Sequence, residues 1–92
     1  MINTKLKLKL KLGLHARPSA YIVTKIKDLQ LDQASLTLRN QSADPRSILS
    51  LLTLFAKTGD EIEVKLSGPD EEKALKIIQD VFDEKDNAVI YP

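Results

Sequence analysis

Thr4-Lys5-Leu6-Lys7-Leu8-Lys9-Leu10-Lys11-Leu12 runs directly into Gly13-Leu14-His15-Ala16-Arg17-Pro18-Ser19-Ala20, and the reading of the fold turns on this junction. The first nine residues alternate with period two. A strand places Leu6, Leu8, Leu10 and Leu12 on one face and Lys5, Lys7, Lys9 and Lys11 on the other. After Gly13 the period changes. Ile22, Val23, Ile26 and Leu29 recur at three- and four-residue spacing, with Lys25, Lys27 and Asp28 opposite, which predicts an amphipathic helix over 16–29. Pro18 is compatible with that helix, because a first-turn N–H has no intrahelical partner to lose. His15, the single histidine of the chain, thus stands at a strand-to-helix turn close to the N-cap.

Further along, Ala34, Leu36 and Leu38 alternate with Ser35, Thr37 and Arg39 in a second strand over 32–39. Asn40-Gln41-Ser42 carries turn chemistry, and a short third strand around 41–43 completes a hairpin. Asp44 suits a cap and Pro45 a first helical position, so a second helix is expected over 46–57. Ile48, Leu49, Leu51, Leu52, Leu54 and Phe55 are too many apolar residues for one face of a surface helix. Most are expected in the core, with an exposed subset near the helix start of the kind that marks a partner site. Gly59 is placed to close this helix.

Glu61 to Leu66 alternates again, with Ile62, Val64 and Leu66 inward and Glu61, Glu63 and Lys65 outward. Its glutamates and the lysines of the first strand would attract across a ladder, which suggests that the two are neighbours. Pro69 then fits the first position of a last helix, with Asp70, Glu71 and Glu72 in its positive first turn. Ala74, Leu75, Ile77, Ile78, Val81 and Phe82 form its apolar stripe. The tail, 83–92, is polar and then apolar and carries no assigned element. The order is β-α-β-β-α-β-α, and every strand has one apolar face. This predicts an α+β fold: a two-layer open-faced β-sandwich, a four-stranded antiparallel sheet with three helices on one face, forming one domain over 1–92.

Composition narrows the function classes. Fourteen basic and 13 acidic residues leave a net charge of +1, so no strong attraction to nucleic acid or to an anionic membrane is expected. The absence of cysteine removes disulfides and thiolate chemistry and suggests a reducing, cytoplasmic setting. Lysine at every second position from Lys5 to Lys11 denies the N-terminus a signal peptide's apolar core. No run approaches the roughly 20 apolar residues of a membrane span. One histidine without a nearby carboxylate supplies too few ligands for a metal, and neither metal nor cofactor is expected. An RNA-binding sheet would carry exposed aromatics in its central strands. Here Tyr21, Phe55, Phe82 and Tyr91 all fall elsewhere.

What remains is the chemistry of an imidazole at a helix start. A neutral imidazole is a nucleophile, and a phosphoryl group on its nitrogen is labile enough to be passed on. Unpaired N–H donors and the positive dipole end of the helix bind phosphate oxygens. Arg17 can add charge-assisted hydrogen bonds to the same oxygens. Gly13 lets the chain turn sharply before the ring. The plainer alternative is a histidine that only caps the helix beside a solvated arginine. A stand-alone enzyme with His15 as general base would need a pocket and orienting groups that the sequence does not display.

Residues 13–20 resemble the active-site signature of the HPr family, the histidine phosphocarriers of the phosphoenolpyruvate-dependent phosphotransferase system. Arg46-Ser47-Ile48-Leu49 is similar to the family's second motif, at the start of its second helix, and the element order is that of the family. The resemblance covers about residues 4–84. It implies that His15 accepts a phosphoryl group from phospho-enzyme I, through Nδ1, and donates it to an enzyme IIA component, as a carrier rather than a turnover enzyme. Arg17 would steady the group, the amides of Ala16 and Arg17 would hold its oxygens, and Leu14, Ile48, Leu49 and Leu52 would form the contact surface of a monomeric carrier. In some members the serine equivalent to Ser47 is modified by HPr kinase/phosphatase; the plainer reading of Ser47 is an N-cap or first-turn hydroxyl of the second helix. Ser50, and Phe55 with Ala56-Lys57, stand where sugar-type members have glycine-containing stretches. These departures and the Leu51-Leu52-Thr53-Leu54 run look closer to the nitrogen-type NPr branch. The competing reading is a regulatory module of the same fold that binds partners without transferring a group.

Overall fold

The computed structural model describes residues 1–83. The tail, 84–92, lies outside the described residues. The elements run β1 (Ile2–Lys7), α1 (Ala16–Ile26), β2 (Gln33–Leu38), β3 (Gln41–Ala43), α2 (Ile48–Leu52), β4 (Glu61–Ser67) and α3 (Glu71–Phe82). The four strands form one antiparallel sheet in the order β1-β4-β2-β3. This is the expected open-faced sandwich. The neighbouring of β1 and β4 is also as expected, with Lys5 opposite Glu63 and Lys7 opposite Glu61. Such cross-strand pairs of opposite charge each contribute about 0.2–1 kcal/mol.

The sheet buries one face. Leu36, Ile62, Val64 and Leu66 have no exposed surface, and they share a core with Ile22 and Ile26 of α1 and Ala74, Ile78, Val81 and Phe82 of α3. Each fully buried large aliphatic or aromatic side chain is worth about 1.5–3 kcal/mol relative to exposure. In a chain of this size that makes these residues the main source of stability.

Several local expectations require correction. The alternating stretch 4–12 is a strand only through Lys7, where its partner β4 begins with Glu61. Beyond that the backbone finds other partners: Leu8 donates to Asp60 O at 2.9 Å, and Lys9 donates to Phe82 O at 2.8 Å. Leu8 and Leu10 stay fully buried, but Leu12 is 74% exposed. The inward face read from alternation therefore ends at Leu10. Helix α1 stops at Ile26 rather than at 29, capped by Lys27. The β2–β3 turn is Arg39-Asn40, both left-handed (φ 48° and 66°), as a two-residue hairpin loop requires. Gln41 and Ser42 lie in the strand.

The second helix is much shorter than 46–57. It spans five residues, with Ser47 rather than Asp44 at its N-cap and Thr53 at its C-cap. Gly59 therefore caps no helix; it sits in the turn before β4 and donates to Leu8 O at 2.7 Å. The short helix resolves the excess of apolar residues. Leu51 and Leu54 enter the core, whereas Ile48, Leu49 and Phe55 are exposed at 38%, 77% and 77%. In α3, Pro69 precedes the helix and Asp70 is the N-cap. The Asp70 carboxylate does not cap; it accepts the Gln30 N–H at 2.7 Å.

Candidate functional site

Three backbone hydrogen bonds build the site. Gly13 donates to Leu10 O at 3.1 Å, which closes the turn after the buried Leu10. Gly13 itself has φ 73°, and a Cβ at this position would strike the carbonyl oxygen of Ala56. Glycine is required here both by its conformation and by the close approach of a second backbone. Leu14 then donates to that same Ala56 carbonyl at 3.0 Å, and Ser19 donates to His15 O at 3.1 Å. The segment is thereby fixed at both ends, to the loop after α2 and to the first turn of α1.

His15 occupies the N-cap with extended backbone (φ −93°, ψ −168°), and its side chain makes no capping hydrogen bond. The ring is therefore not committed to closing the helix. Ala16 and Arg17 are the first two helical residues, whose N–H groups have no acceptor within the helix. Pro18, third and buried, has no N–H at all. The first-turn donors without an intrahelical acceptor are thus those of Ala16 and Arg17, the residues that follow His15. No acidic residue stands in this turn, so the positive end of the helix dipole is not offset by a carboxylate of its own helix. Arg17 is exposed.

His15 also lines an open depression of about 350 Å³ with Leu12, Leu14, Leu52, Phe55, Ala56 and Lys57. The structure thus brings Leu52 to His15. It leaves Ile48 and Leu49 exposed on α2, outside this depression. Leu14 is 4% exposed; it supports the loop from beneath and offers little surface to a partner. Leu12 and Phe55 are site neighbours that pattern reading misses. Alternation assigns Leu12 to the core, and a long second helix assigns Phe55 to its last turns. The one available signal is the glycine-like position at which Phe55 stands, whose backbone is left-handed at φ 49°.

Ser47 lies in a separate cluster of hydrogen bonds. Its Oγ accepts the Ser50 N–H at 3.2 Å, and the Ser50 hydroxyl accepts the Asp44 N–H at 2.8 Å. Arg46 grips Asp44 by two prongs, Nε to Oδ1 at 2.9 Å and Nη2 to Oδ2 at 3.2 Å. Burial disfavours the Asp44 carboxylate, but the Arg46 side chain, its amide and its charge outweigh this and hold Asp44 below the usual range. Among the described residues no group of three or more His, Cys, Asp or Glu could hold a metal ion, and no helix is long and apolar enough to cross a membrane.

The family model of the PTS HPr component phosphorylation site matches residues 2–84. The chain belongs to the HPr family. Membership places it among the phosphocarriers of the phosphotransferase system, whose partners are proteins of that system. The chain is 30% identical over 87 residues to the phosphocarrier protein HPr of Xylella fastidiosa, covering 95% of this chain and 97% of the relative. It is 37% identical over 75 residues to the phosphocarrier protein NPr of Escherichia coli K12, covering 78% and 80%. Among solved structures, HPr-C-His from Thermoanaerobacter tengcongensis superposes with a TM-score of 0.82 at 29% identity, covering 92% of this chain and 94% of that one.

Proposed function

We propose that this HPr-family chain accepts a phosphoryl group on His15 from phospho-enzyme I and passes it to an enzyme IIA component in the cytoplasm. The observation that carries the reading is the arrangement at the start of α1. His15 stands at the N-cap, and Ala16 and Arg17 follow it as the first two residues of the helix, whose N–H groups have no intrahelical acceptor. In the forward step a lone pair on the ring, Nδ1 by family resemblance, attacks phosphorus. The bond from phosphorus to the donor's leaving atom breaks, and its electron pair stays with the donor. The same step in reverse sense delivers the group to the acceptor. Arg17 and the two amides meet the equatorial oxygens, where charge develops.

Incubation with enzyme I and labelled phosphoenolpyruvate is expected to place acid-labile, base-stable phosphate on His15. Equal labelling of His15→Ala would end the proposal. Running the assay with sugar-type and nitrogen-type enzyme I assigns the branch. The Leu51-Leu52-Thr53-Leu54 run and the 37% identity to an NPr support faster transfer from the nitrogen type.

Ile48, Leu49 and Leu52 supply the contact surface in this reading, through a small interface suited to rapid release. Ser47, the candidate modification site for an HPr kinase/phosphatase, is first of all the cap of α2. A phosphate there could still accept the Ser50 N–H, but it would add negative charge to the docking face while Arg46 is engaged by Asp44. Ser47→Asp, which preserves a good N-cap, is expected to slow transfer without unfolding the chain. Unchanged transfer would leave Ser47 with its structural role.

A further inference from the structure

We infer that Phe55 is the specificity-determining contact of this chain, an aromatic anchor for an apolar, acid-rimmed pocket on the protein that exchanges a phosphoryl group with His15. The inference rests on the phosphocarrier reading of His15. It begins from a residue that does little for its own fold. Phe55 holds a left-handed backbone, φ 49°, a region that aromatic residues rarely enter and that glycine or asparagine enters readily. The residue is 77% exposed, so core burial does not compensate for the conformation. Strain kept at an exposed position points to a use outside the chain.

The position of the ring says what that use is. Phe55 lines the same open depression as His15, together with Leu12, which is 74% exposed. A protein that brings a phosphoryl group to His15 across this depression must cover both side chains. They extend the apolar surface beyond Ile48 and Leu49 to the loop that follows α2. Among the described residues the lining holds Lys57 and no carboxylate, and Arg17 stands exposed on the adjoining helix start. Charge complementarity therefore selects a partner with acidic groups around its apolar pocket. A large aromatic side chain entering such a pocket is the kind of residue that carries a disproportionate share of binding energy.

The test uses Phe55→Gly and Phe55→Asn, both suited to a left-handed backbone, so the fold is expected to survive with an unfolding midpoint no lower than wild type. Transfer from phosphorylated enzyme I of the same organism is measured against the concentration of this chain. The expected result is a KM raised about tenfold or more in both variants with kcat nearly preserved, and partial recovery in Phe55→Leu. Lys57→Glu is expected to raise KM further at low salt than at high salt. Unchanged KM in both loop variants overturns the inference while leaving the carrier reading intact. A wild-type dimer that Phe55→Gly dissolves, with KM unchanged, also overturns it and assigns the ring to a second copy. A wild-type chain that is never labelled removes the carrier reading and the inference with it.

Discussion

The Leu14 amide donates to the Ala56 carbonyl at 3.0 Å, and this bond joins the histidine turn to the loop that carries Phe55. Two segments about forty residues apart in the chain thus form one surface. The imidazole, the helix start and the apolar rim are held by backbone contacts rather than by a rigid pocket of side chains.

Gly13 is the point at which that surface is most vulnerable. A Cβ would meet the Ala56 carbonyl oxygen and would sit on a backbone with φ 73°. Gly13→Ala is expected to cost about 2 kcal/mol, from the left-handed conformation and the displaced loop together. Urea denaturation measures it. Labelling of His15 is expected to fall as well, because the loop must shift away. Wild-type stability in the variant would show that the approach is looser than the geometry states.

Arg17 separates chemistry from folding. It is exposed at the start of α1, so Arg17→Ala is expected to leave the urea midpoint within about 0.5 kcal/mol of wild type. The rate of transfer to His15 is expected to drop about a hundredfold, the typical effect of removing one charge-stabilising donor. Arg17→Lys restores charge without the planar fork and is expected to recover only part of it. A rapid-quench measurement showing equal rates in all three proteins would remove Arg17 from the mechanism.

Ser19 offers a test in the opposite direction. Its hydroxyl is fully buried and finds no hydrogen-bond partner among the described residues. An unsatisfied buried polar group is unfavourable by about 1–3 kcal/mol. Ser19→Ala removes it without opening a large cavity and is expected to raise stability by up to about 1 kcal/mol. A measured loss of stability would mean that the hydroxyl has a partner in solution.

Asp44 ties stability to pH. Its carboxyl is held below the usual carboxylate range; burial opposes the shift and the hydrogen bonds from Arg46 dominate it. The unfolded chain therefore binds the proton first as pH falls. The contribution is fully present above the unfolded pKa and is lost as pH drops through the folded one. Stability is expected to be flat near neutrality and to decline below about pH 4. The decline should be shallower in Asp44→Asn, read from urea midpoints across the acid range. Because the pair is partly solvent-exposed, the difference between the two profiles is expected to be small.

Much of this protein was legible in its sequence because the relevant physics is local. Period two against period 3.6 separates strands from helices, and the charges of Lys5, Lys7, Glu61 and Glu63 name the two strands that pair. The placement of His15 and Arg17 at a helix start followed from the same change of period. Errors arose where distant segments decide. Alternation continues to Leu12, but the ladder ends at Lys7 because β4 has no further residue to offer. Six clustered apolar residues read as one long helix, whereas their burial is divided between the core and the surface.

By itself the sequence determined the elements, their order, the single imidazole and its helix-start neighbours, since all of these depend on side-chain periodicity and backbone preference within a few residues. Only the tertiary structure decided that α2 closes after one and a half turns, that Leu14 turns inward while Leu12 and Phe55 turn outward, and that the loop after α2 borders His15. Those outcomes depend on which backbone reaches the Gly13 turn and on how much apolar surface the core can accept. Neither is written in the local pattern of any one segment.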